Sequence, residues 1–246
     1  MSILKFYFLM ESNKSKILFL HGYAQNGHIF NTRTKNLQKQ LNKKFNNKFE
    51  YIFPDAPLIL DKEEQTVENE IIRGWLKYIK DKDKKFYDLE TVKYSGLTEA
   101  INTIYKLGDE NPDINIIISF SQGTVILILL IILHLYKNEK YDFKKHFPNL
   151  KCLICVSGFI RPYPENEEFQ DIKNDVLNTD ENTVKKFDIP MMNVYGMNDQ
   201  YVANDKSKEI TKFFEKYEIF CHKGKHFVPS SKADIIKFEE FIEKFI

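Results

Sequence analysis

Residues 114–130 of this 246-residue chain have the sequence INIIISFSQGTVILILL. The first part is rich in isoleucine, which favours a buried β-strand, and the last part is rich in leucine, which is typical of a buried helix. Small and polar residues separate the two parts, with Ser121 at their centre. The stretch therefore predicts a strand, a sharp turn and a helix, with Ser121 at the apex of the turn.

The turn SFSQG, residues 119–123, differs in one place from the nucleophile-elbow pattern G-x-S-x-G, because Ser119 stands where the first glycine is usual. The apex serine of an elbow has a strained backbone, and the residues two before and two after it must be small because the strand and helix nearly touch there. Gly123 meets this requirement, and Ser119 is the next smallest choice after alanine. The helix that begins here points N–H groups at Ser121, where they favour a developing oxyanion.

A membrane-spanning helix is the alternative interpretation of the same residues. The segment 116–135 is twenty residues long and mostly apolar, close to the length needed to span a bilayer. Polar or small residues interrupt it, however, and the uninterrupted apolar stretch 125–133 is too short to span. We therefore predict a buried core helix and no stable membrane span.

The charge balance argues against two classes of partner. The chain has 36 basic and 35 acidic side chains, so no overall field gathers nucleic acid or anionic lipid.

The N-terminus has neither a basic n-region nor a small-residue cleavage site, which argues against a signal peptide. The three cysteines do not form a disulfide framework. These features predict a cytoplasmic, reducing location.

The pair Cys152 and Cys155 has the C-x-x-C spacing, but it lies in a run that has the pattern of a strand. Residues three apart in a strand point to opposite faces. We therefore predict that the two thiols neither pair nor share a metal ion.

Strand-like runs alternate with helical stretches along the chain, which predicts the α/β class: a mostly parallel sheet of about six strands with helices on both faces. We expect a single domain over residues 1–246, with insert-like stretches at 58–90 and 159–188 where a lid or substrate wall would sit. The expected strands are 16–20, 49–53, 114–118, 152–157, 191–195 and 218–221. The expected helices are 28–41, 96–107, the helix after Ser121, 203–214 and 232–245.

Reactive side chains follow three of these strands, and reactive groups collect at the carboxyl ends of the strands in such sheets. Ser121, Asp199 and His226 occur in the serine, acid, histidine order of α/β-hydrolases. His226 would take the proton of Ser121, and Asp199 would orient and stabilise the imidazole. The backbone N–H groups of Tyr23 and Gln122 are the expected oxyanion donors.

Each assignment has a structural alternative. Ser121 or Asp199 can simply cap a helix, and Asp205 competes with Asp199 for the acidic role. His222 and His226 are four residues apart, but Gly224 lies between them and no third ligand is evident, so we predict no metal site. His21 is expected to pack or hydrogen-bond within the oxyanion loop.

Motifs along the whole chain resemble the FSH family of serine hydrolases. The matching pieces, in order, are LHGYAQNG (20–27) with Phe30 and Thr34, PDAP (54–57), RGW (73–75), FSQG (120–123), VSGF (156–159), GMNDQYV (196–202) and HKGKHFVP (222–229). The resemblance implies an α/β-hydrolase fold and carboxylic-ester hydrolysis with Ser121, Asp199 and His226 as triad. The expected enzyme is an esterase or thioesterase that acts on a small or lipid-derived acyl ester through an acyl-enzyme, without a cofactor.

Two departures from the family pattern matter. Ser119 replaces the first glycine of the elbow, and Lys225 replaces a glycine beside His226. A cation next to His226 would lower the pKa of the imidazole unless the lysine extends into solvent. The altered elbow motivates an alternative hypothesis, a non-catalytic or weakly active hydrolase-fold protein that binds a ligand or a partner.

Overall fold

The computed structural model describes residues 14–61, 70–78, 91–160, 163–177 and 183–246. The strands are β1 (Ser15–Leu20), β2 (Phe49–Ile52), β3 (Leu58–Ile59), β4 (Arg73–Gly74), β5 (Lys77–Tyr78), β6 (Thr91–Val92), β7 (Tyr94–Ser95), β8 (Ile114–Phe120), β9 (Cys152–Val156), β10 (Tyr163–Pro164), β11 (Met191–Gly196) and β12 (Tyr217–His222). The α-helices are α1 (Gly27–Lys44), α2 (Leu97–Glu110), α3 (Gln122–Lys137), α4 (Phe143–His146), α5 (Lys173–Leu177), α6 (Asn204–Lys208) and α7 (Lys232–Glu243).

The central sheet has six strands in the order β12-β11-β9-β8-β1-β2, and every pairing is parallel. This confirms the predicted α/β-hydrolase class and all six predicted strands. The inner strands β8, β9 and β11 are buried along almost their whole length. Continuous apolar runs are what a sheet covered on both faces requires, because neither face of its strands meets water.

Helices cover both faces of the sheet and enclose a large hydrophobic core on each face. One core contains the apolar residues of α2 and α3, and the other contains those of α1 and α7. Cys152 belongs to one core and Cys155 to the other, as their spacing in a strand predicted. Helix α3 is buried from Gly123 to Leu133. Within the described part of the chain, no helix combines the length and the apolar character needed to cross a membrane.

The helix predicted at 203–214 was only partly correct. Helix α6 ends at Lys208, and a 3-10 helix continues from Glu209 to Phe213. A 3-10 helix aligns residues three apart, and this turn places Ile210 and Phe213 together in the core. The tighter winding thus buries two apolar side chains that an α-helix would separate by a larger angle.

The insert-like stretches contain short strands that the sequence did not reveal. Strand β3 pairs with β4, β5 pairs with β7, and β6 pairs with β10. Strands β6 and β7 lie just beyond residue 90, so the first insert extends past its predicted end, and the β6-β10 pair connects it to the second stretch. Residues 62–69, 79–90, 161–162 and 178–182 of these stretches, and the N-terminal residues considered above as a signal peptide, lie outside the described residues.

Candidate active site

Ser121 occupies a strained turn between β8 and α3. Its φ is 50° and its ψ is −116°, a left-handed conformation that residues with side chains rarely adopt. The Ser121 N–H donates to the carbonyl of Val156 on the neighbouring strand, at 2.8 Å, and this bond helps to hold the turn. Glycine is required at position 123, the second residue of α3, because a Cβ there would lie 2.3 Å from the carbonyl oxygen of Leu20.

Ser119, the departure from the elbow pattern, is fully buried beneath the turn. Its Oγ lies 2.9 Å from Oγ1 of Thr124, in the first turn of α3. The extra hydroxyl therefore has a hydrogen-bond partner, which removes most of the free-energy cost of burying it. The elbow accommodates serine in place of the first glycine.

The three predicted side chains Ser121, His226 and Asp199 meet above the carboxyl end of the sheet. His226 Nε2 lies 3.0 Å from Ser121 Oγ, and His226 Nδ1 lies 2.8 Å from Asp199 Oδ2. A carboxylate only accepts hydrogen bonds, so the proton sits on Nδ1 and neutral Nε2 accepts from the Ser121 hydroxyl. This is the geometry in which an imidazole can accept the proton of a serine hydroxyl.

Asp199 is held by its backbone surroundings. Its side chain is fully buried, and its Oδ1 accepts from the N–H groups of Tyr201 and Val202, each at 2.9 Å. Burial alone would raise the pKa of this carboxyl, but the hydrogen bonds from His226 and the two backbone N–H groups outweigh burial and lower it. Asp199 is therefore ionised at neutral pH.

The rival residues lie elsewhere. Asp205 is exposed in the first turn of α6, and the carboxylate that bonds the imidazole is Asp199. His222 ends β12, where its Nδ1 accepts from the Gly224 N–H at 3.1 Å, and burial lowers the pKa of its ring. The side chain of Lys225 is exposed. In the ranges that the structure describes, no group of three histidine, cysteine or acidic side chains is placed to hold a metal ion.

The loop after β1 lies against the elbow. A Cβ added to Gly22 would be 2.9 Å from the Phe120 ring and 3.3 Å from Ser121 Cβ. Tyr23 follows directly in this loop. On the other side of Ser121, Gln122 is the first residue of α3, so its N–H has no acceptor within the helix. The structure therefore brings both predicted oxyanion donors to the surroundings of the serine.

The side chain and backbone of His21 stabilise the loop after β1 through hydrogen bonds. His21 is fully buried; its Nδ1–H donates to the Gly22 carbonyl at 2.7 Å, and its Nε2 accepts from the Ala56 N–H at 3.1 Å. The indole of Trp75 donates to the His21 carbonyl at 2.9 Å. Burial lowers the pKa of His21 to about 4, so the ring is neutral at physiological pH. This confirms its predicted hydrogen-bonding role in the loop.

The side chain of Gln122 has a role that the sequence did not reveal. Its Oε1 accepts from the Trp75 N–H at 2.8 Å, and its Nε2 donates to the Leu76 carbonyl at 2.7 Å. The segment around β4 is thereby fastened to the elbow. The only available signal was a lone RGW motif in an otherwise charged stretch.

Asp55 connects the PDAP motif to the same framework. Its Oδ1 accepts from the N–H of Gly27 at the start of α1, at 2.9 Å, and its Oδ2 lies 3.3 Å from Arg73 Nε. The Arg73 guanidinium also donates to the Ala56 carbonyl at 3.2 Å. The first three motifs that resemble the family in sequence are therefore joined in space behind the loop that follows β1.

The profile of the family described as "Serine hydrolase (FSH1)" matches residues 10–238, which is most of the chain. The chain belongs to this family of serine hydrolases. Among curated relatives, it is 27% identical to Esterase OVCA2 of Danio rerio over 250 residues, covering 96% of this chain and 100% of that protein. It is 25% identical to Esterase C25G4.2 of Caenorhabditis elegans, covering 94% of each chain.

Solved structures show the same fold. Esterase PE8 superposes with a TM-score of 0.61 at 16% identity, covering 96% of this chain and 94% of that one. Arabidopsis thaliana SOBER1 superposes with a TM-score of 0.56 at 16% identity, covering 94% of this chain and 98% of that one. At such identities the likeness establishes the α/β-hydrolase fold.

Proposed function

We propose that this serine hydrolase cleaves carboxylic esters through an acyl-enzyme, with Ser121 as nucleophile, His226 as general base and Asp199 as the orienting acid. The observation that carries the proposal is the continuous chain of hydrogen bonds from Ser121 through His226 to Asp199, at 3.0 and 2.8 Å. A serine that only caps a helix needs no such chain. A base within hydrogen-bond distance, itself held by a third group, is the arrangement that activates a serine.

In the first step, Ser121 Oγ attacks the ester carbonyl carbon while its proton passes to His226 Nε2. The tetrahedral intermediate collapses, the bond from carbon to the alcohol oxygen breaks, and His226 returns the proton to the departing oxygen. Water then attacks the acyl-enzyme, with His226 again acting as base. Asp199 stabilises the imidazolium in both halves and keeps its own negative charge.

The negative oxygen of the intermediate is assigned to the backbone N–H groups of Tyr23 and Gln122. Two features support this assignment: the contact of the 21–23 loop with the elbow, and the position of Gln122 at the N-terminus of α3. The helix dipole adds a favourable partial charge at the same point. The buried His21 and the Gln122 side chain hold the two donors in fixed positions, so no reorganisation is needed during reaction.

The substrate class is a small or lipid-derived acyl ester, and thioesters enter the same scheme because they yield the same acyl-enzyme. Several curated relatives carry the name esterase, which supports ester hydrolysis in this chain. None of the steps above needs a cofactor. The free cysteines Cys152, Cys155 and Cys221 favour a reducing location such as the cytoplasm.

The test is pre-steady-state hydrolysis of p-nitrophenyl esters of graded acyl length, with an acyl-thioester series beside them. We expect a burst of nitrophenol close to one equivalent of enzyme wherever deacylation is slower than acylation. Ser121→Ala should remove the burst and lower kcat by about 10⁴-fold or more. Ser95→Ala, an exposed serine on β7, is the matched control.

A different result would favour the non-catalytic alternative. If esters and thioesters of every length survive incubation with the pure, folded protein, the proposal is wrong. The bonded hydroxyl of Ser119 weakens that alternative, since the altered elbow was its only motivation.

A further inference from the structure

A cavity of about 290 Å³ opens beside His226, between α1, the end of β8 and the loop that follows β12. Its volume is near the lower end of the range for ligand pockets, roughly 300 Å³. The aromatic side chains Phe30, Phe120 and Phe227 form much of its wall. An apolar wall of this kind suits an aromatic or aliphatic group of modest size.

Two polar side chains also line this cavity. Arg33 of α1 is exposed, and within the described part of the chain it makes no ion pair or hydrogen bond. Gln25 is 4% exposed, and its buried Oε1 has no hydrogen-bond partner among the described residues. A buried amide oxygen without a partner is costly, and a polar ligand that satisfies it would recover that cost.

The position of His226 assigns the cavity to one half of the substrate. The proposed mechanism transfers a proton from His226 Nε2 to the departing oxygen, so the group attached to that oxygen must lie beside His226. The described lining of the cavity includes His226 and Phe120, whose rings are 5.0 Å apart, and not Ser121, which holds the acyl group. The cavity therefore lies on the leaving-group side.

We propose that this cavity binds the alcohol or thiol portion of the substrate, and that Arg33 pairs with a carboxylate on it. The chain would accordingly prefer esters whose leaving group carries a negative charge. This inference rests on the proposed esterase function and adds the substrate class that the site selects. Arg33 would select between leaving groups, because a guanidinium binds a carboxylate with two parallel hydrogen bonds. The aromatic wall would contact the remaining part of the leaving group.

The experiment compares para-acetoxybenzoate with its neutral isostere, para-acetoxybenzamide, at neutral pH and low ionic strength. The measured quantity is the ratio of kcat/KM for the two esters in the wild type and in each variant. The intrinsic reactivities of the two phenols and any general effect of a substitution on folding cancel when these ratios are compared. Lys35→Gln is the control, since Lys35 is an exposed cation on α1 that does not line the cavity.

We expect Arg33→Gln to lower the anion-to-neutral ratio by about two- to fivefold, as for an exposed ion pair. Arg33→Glu should lower it by about tenfold or more, because repulsion is added to the lost attraction, and added salt should shrink both effects. A second pair of esters, p-nitrophenyl hemisuccinate and p-nitrophenyl butyrate, differs in the charge of the acyl group. The ratio of kcat/KM for this pair should be the same in the wild type and in the Arg33 variants.

The inference is overturned if the leaving-group ratio is the same in wild type, Arg33→Gln and Arg33→Glu. A larger response of the acyl-side pair than of the leaving-group pair would also overturn it, because the cavity would then hold the acyl chain. Either result leaves the proposed function intact, since both require an active enzyme. Failure of the proposed function would appear differently, as esters that survive incubation with the folded wild type or as hydrolysis that persists in Ser121→Ala.

Discussion

Replacing Asp199 by asparagine should inactivate the enzyme, because it moves the proton of the His226 ring from Nδ1 to Nε2. The side chains of the site should keep almost the same positions. Asp199 Oδ1 accepts two backbone hydrogen bonds, from Tyr201 and Val202, while Oδ2 faces His226. In the asparagine variant, the amide oxygen is the only group able to accept those two bonds. Its NH₂ group must then point at His226 Nδ1.

An NH₂ group only donates, so Nδ1 of the variant must become the acceptor and the ring proton must move to Nε2. Nε2 then has no lone pair to receive the proton of Ser121, 3.0 Å away. Loss of the correct tautomer in a serine triad costs about 10⁴ in kcat, which corresponds to about 5 kcal/mol of transition-state stabilisation.

The assay is steady-state hydrolysis of p-nitrophenyl butyrate, with a thermal unfolding curve for each protein to confirm that it is folded. Asp205→Asn is the control, because Asp205 is the nearest rival in the sequence and lies exposed on α6. We expect it to keep wild-type kcat. A fall of less than about tenfold in Asp199→Asn, or an equal fall in Asp205→Asn, would refute the assignment of the acid.

Two further predictions concern the elbow and the buried histidine. Gly123→Ala should lower kcat by about 10²-fold, because the new Cβ would lie 2.3 Å from the Leu20 carbonyl oxygen, about 1 Å short of ordinary contact, and must displace the oxyanion loop. Ser119→Gly should leave kcat unchanged or raise it, and a large fall in kcat would show that Ser119 has another role. Folded His21 stays neutral down to about pH 4, whereas the unfolded chain protonates near pH 6.5, so the free energy of unfolding should fall by up to about 3 kcal/mol as pH decreases through that window. Urea unfolding of wild type and His21→Asn at several pH values measures this, and an equal pH dependence in both proteins would contradict it.

The sheet and the three central residues of the site were predictable from the sequence for a physical reason. Buried parallel strands are continuous apolar runs, so the strands stand out from the polar segments around them. The carboxyl ends of such strands meet at one edge, so the residues after them come together. Ser121, Asp199 and His226 could therefore be selected by position, and the structure places His226 within hydrogen-bond distance of both Ser121 and Asp199.

The framework behind the oxyanion loop was not predictable in the same way. The bonds of Trp75 with His21 and with Gln122 join residues 54 and 47 positions apart in sequence. No periodicity connects such residues, and a glutamine beside a catalytic serine has the same appearance whether its side chain is bonded or free. The 3-10 turn after α6 was missed for a related reason, since burial of Ile210 and Phe213 depends on the tertiary packing around them.

The most direct test of the account is covalent labelling by a fluorophosphonate, followed by peptide mass mapping. The account predicts one adduct per chain, on Ser121, absent in Ser121→Ala and formed much more slowly in His226→Ala. These results would follow from a serine whose proton is removed by the adjacent imidazole at 3.0 Å. An adduct on any other residue, or labelling of Ser121→Ala at the wild-type rate, would contradict the central claim.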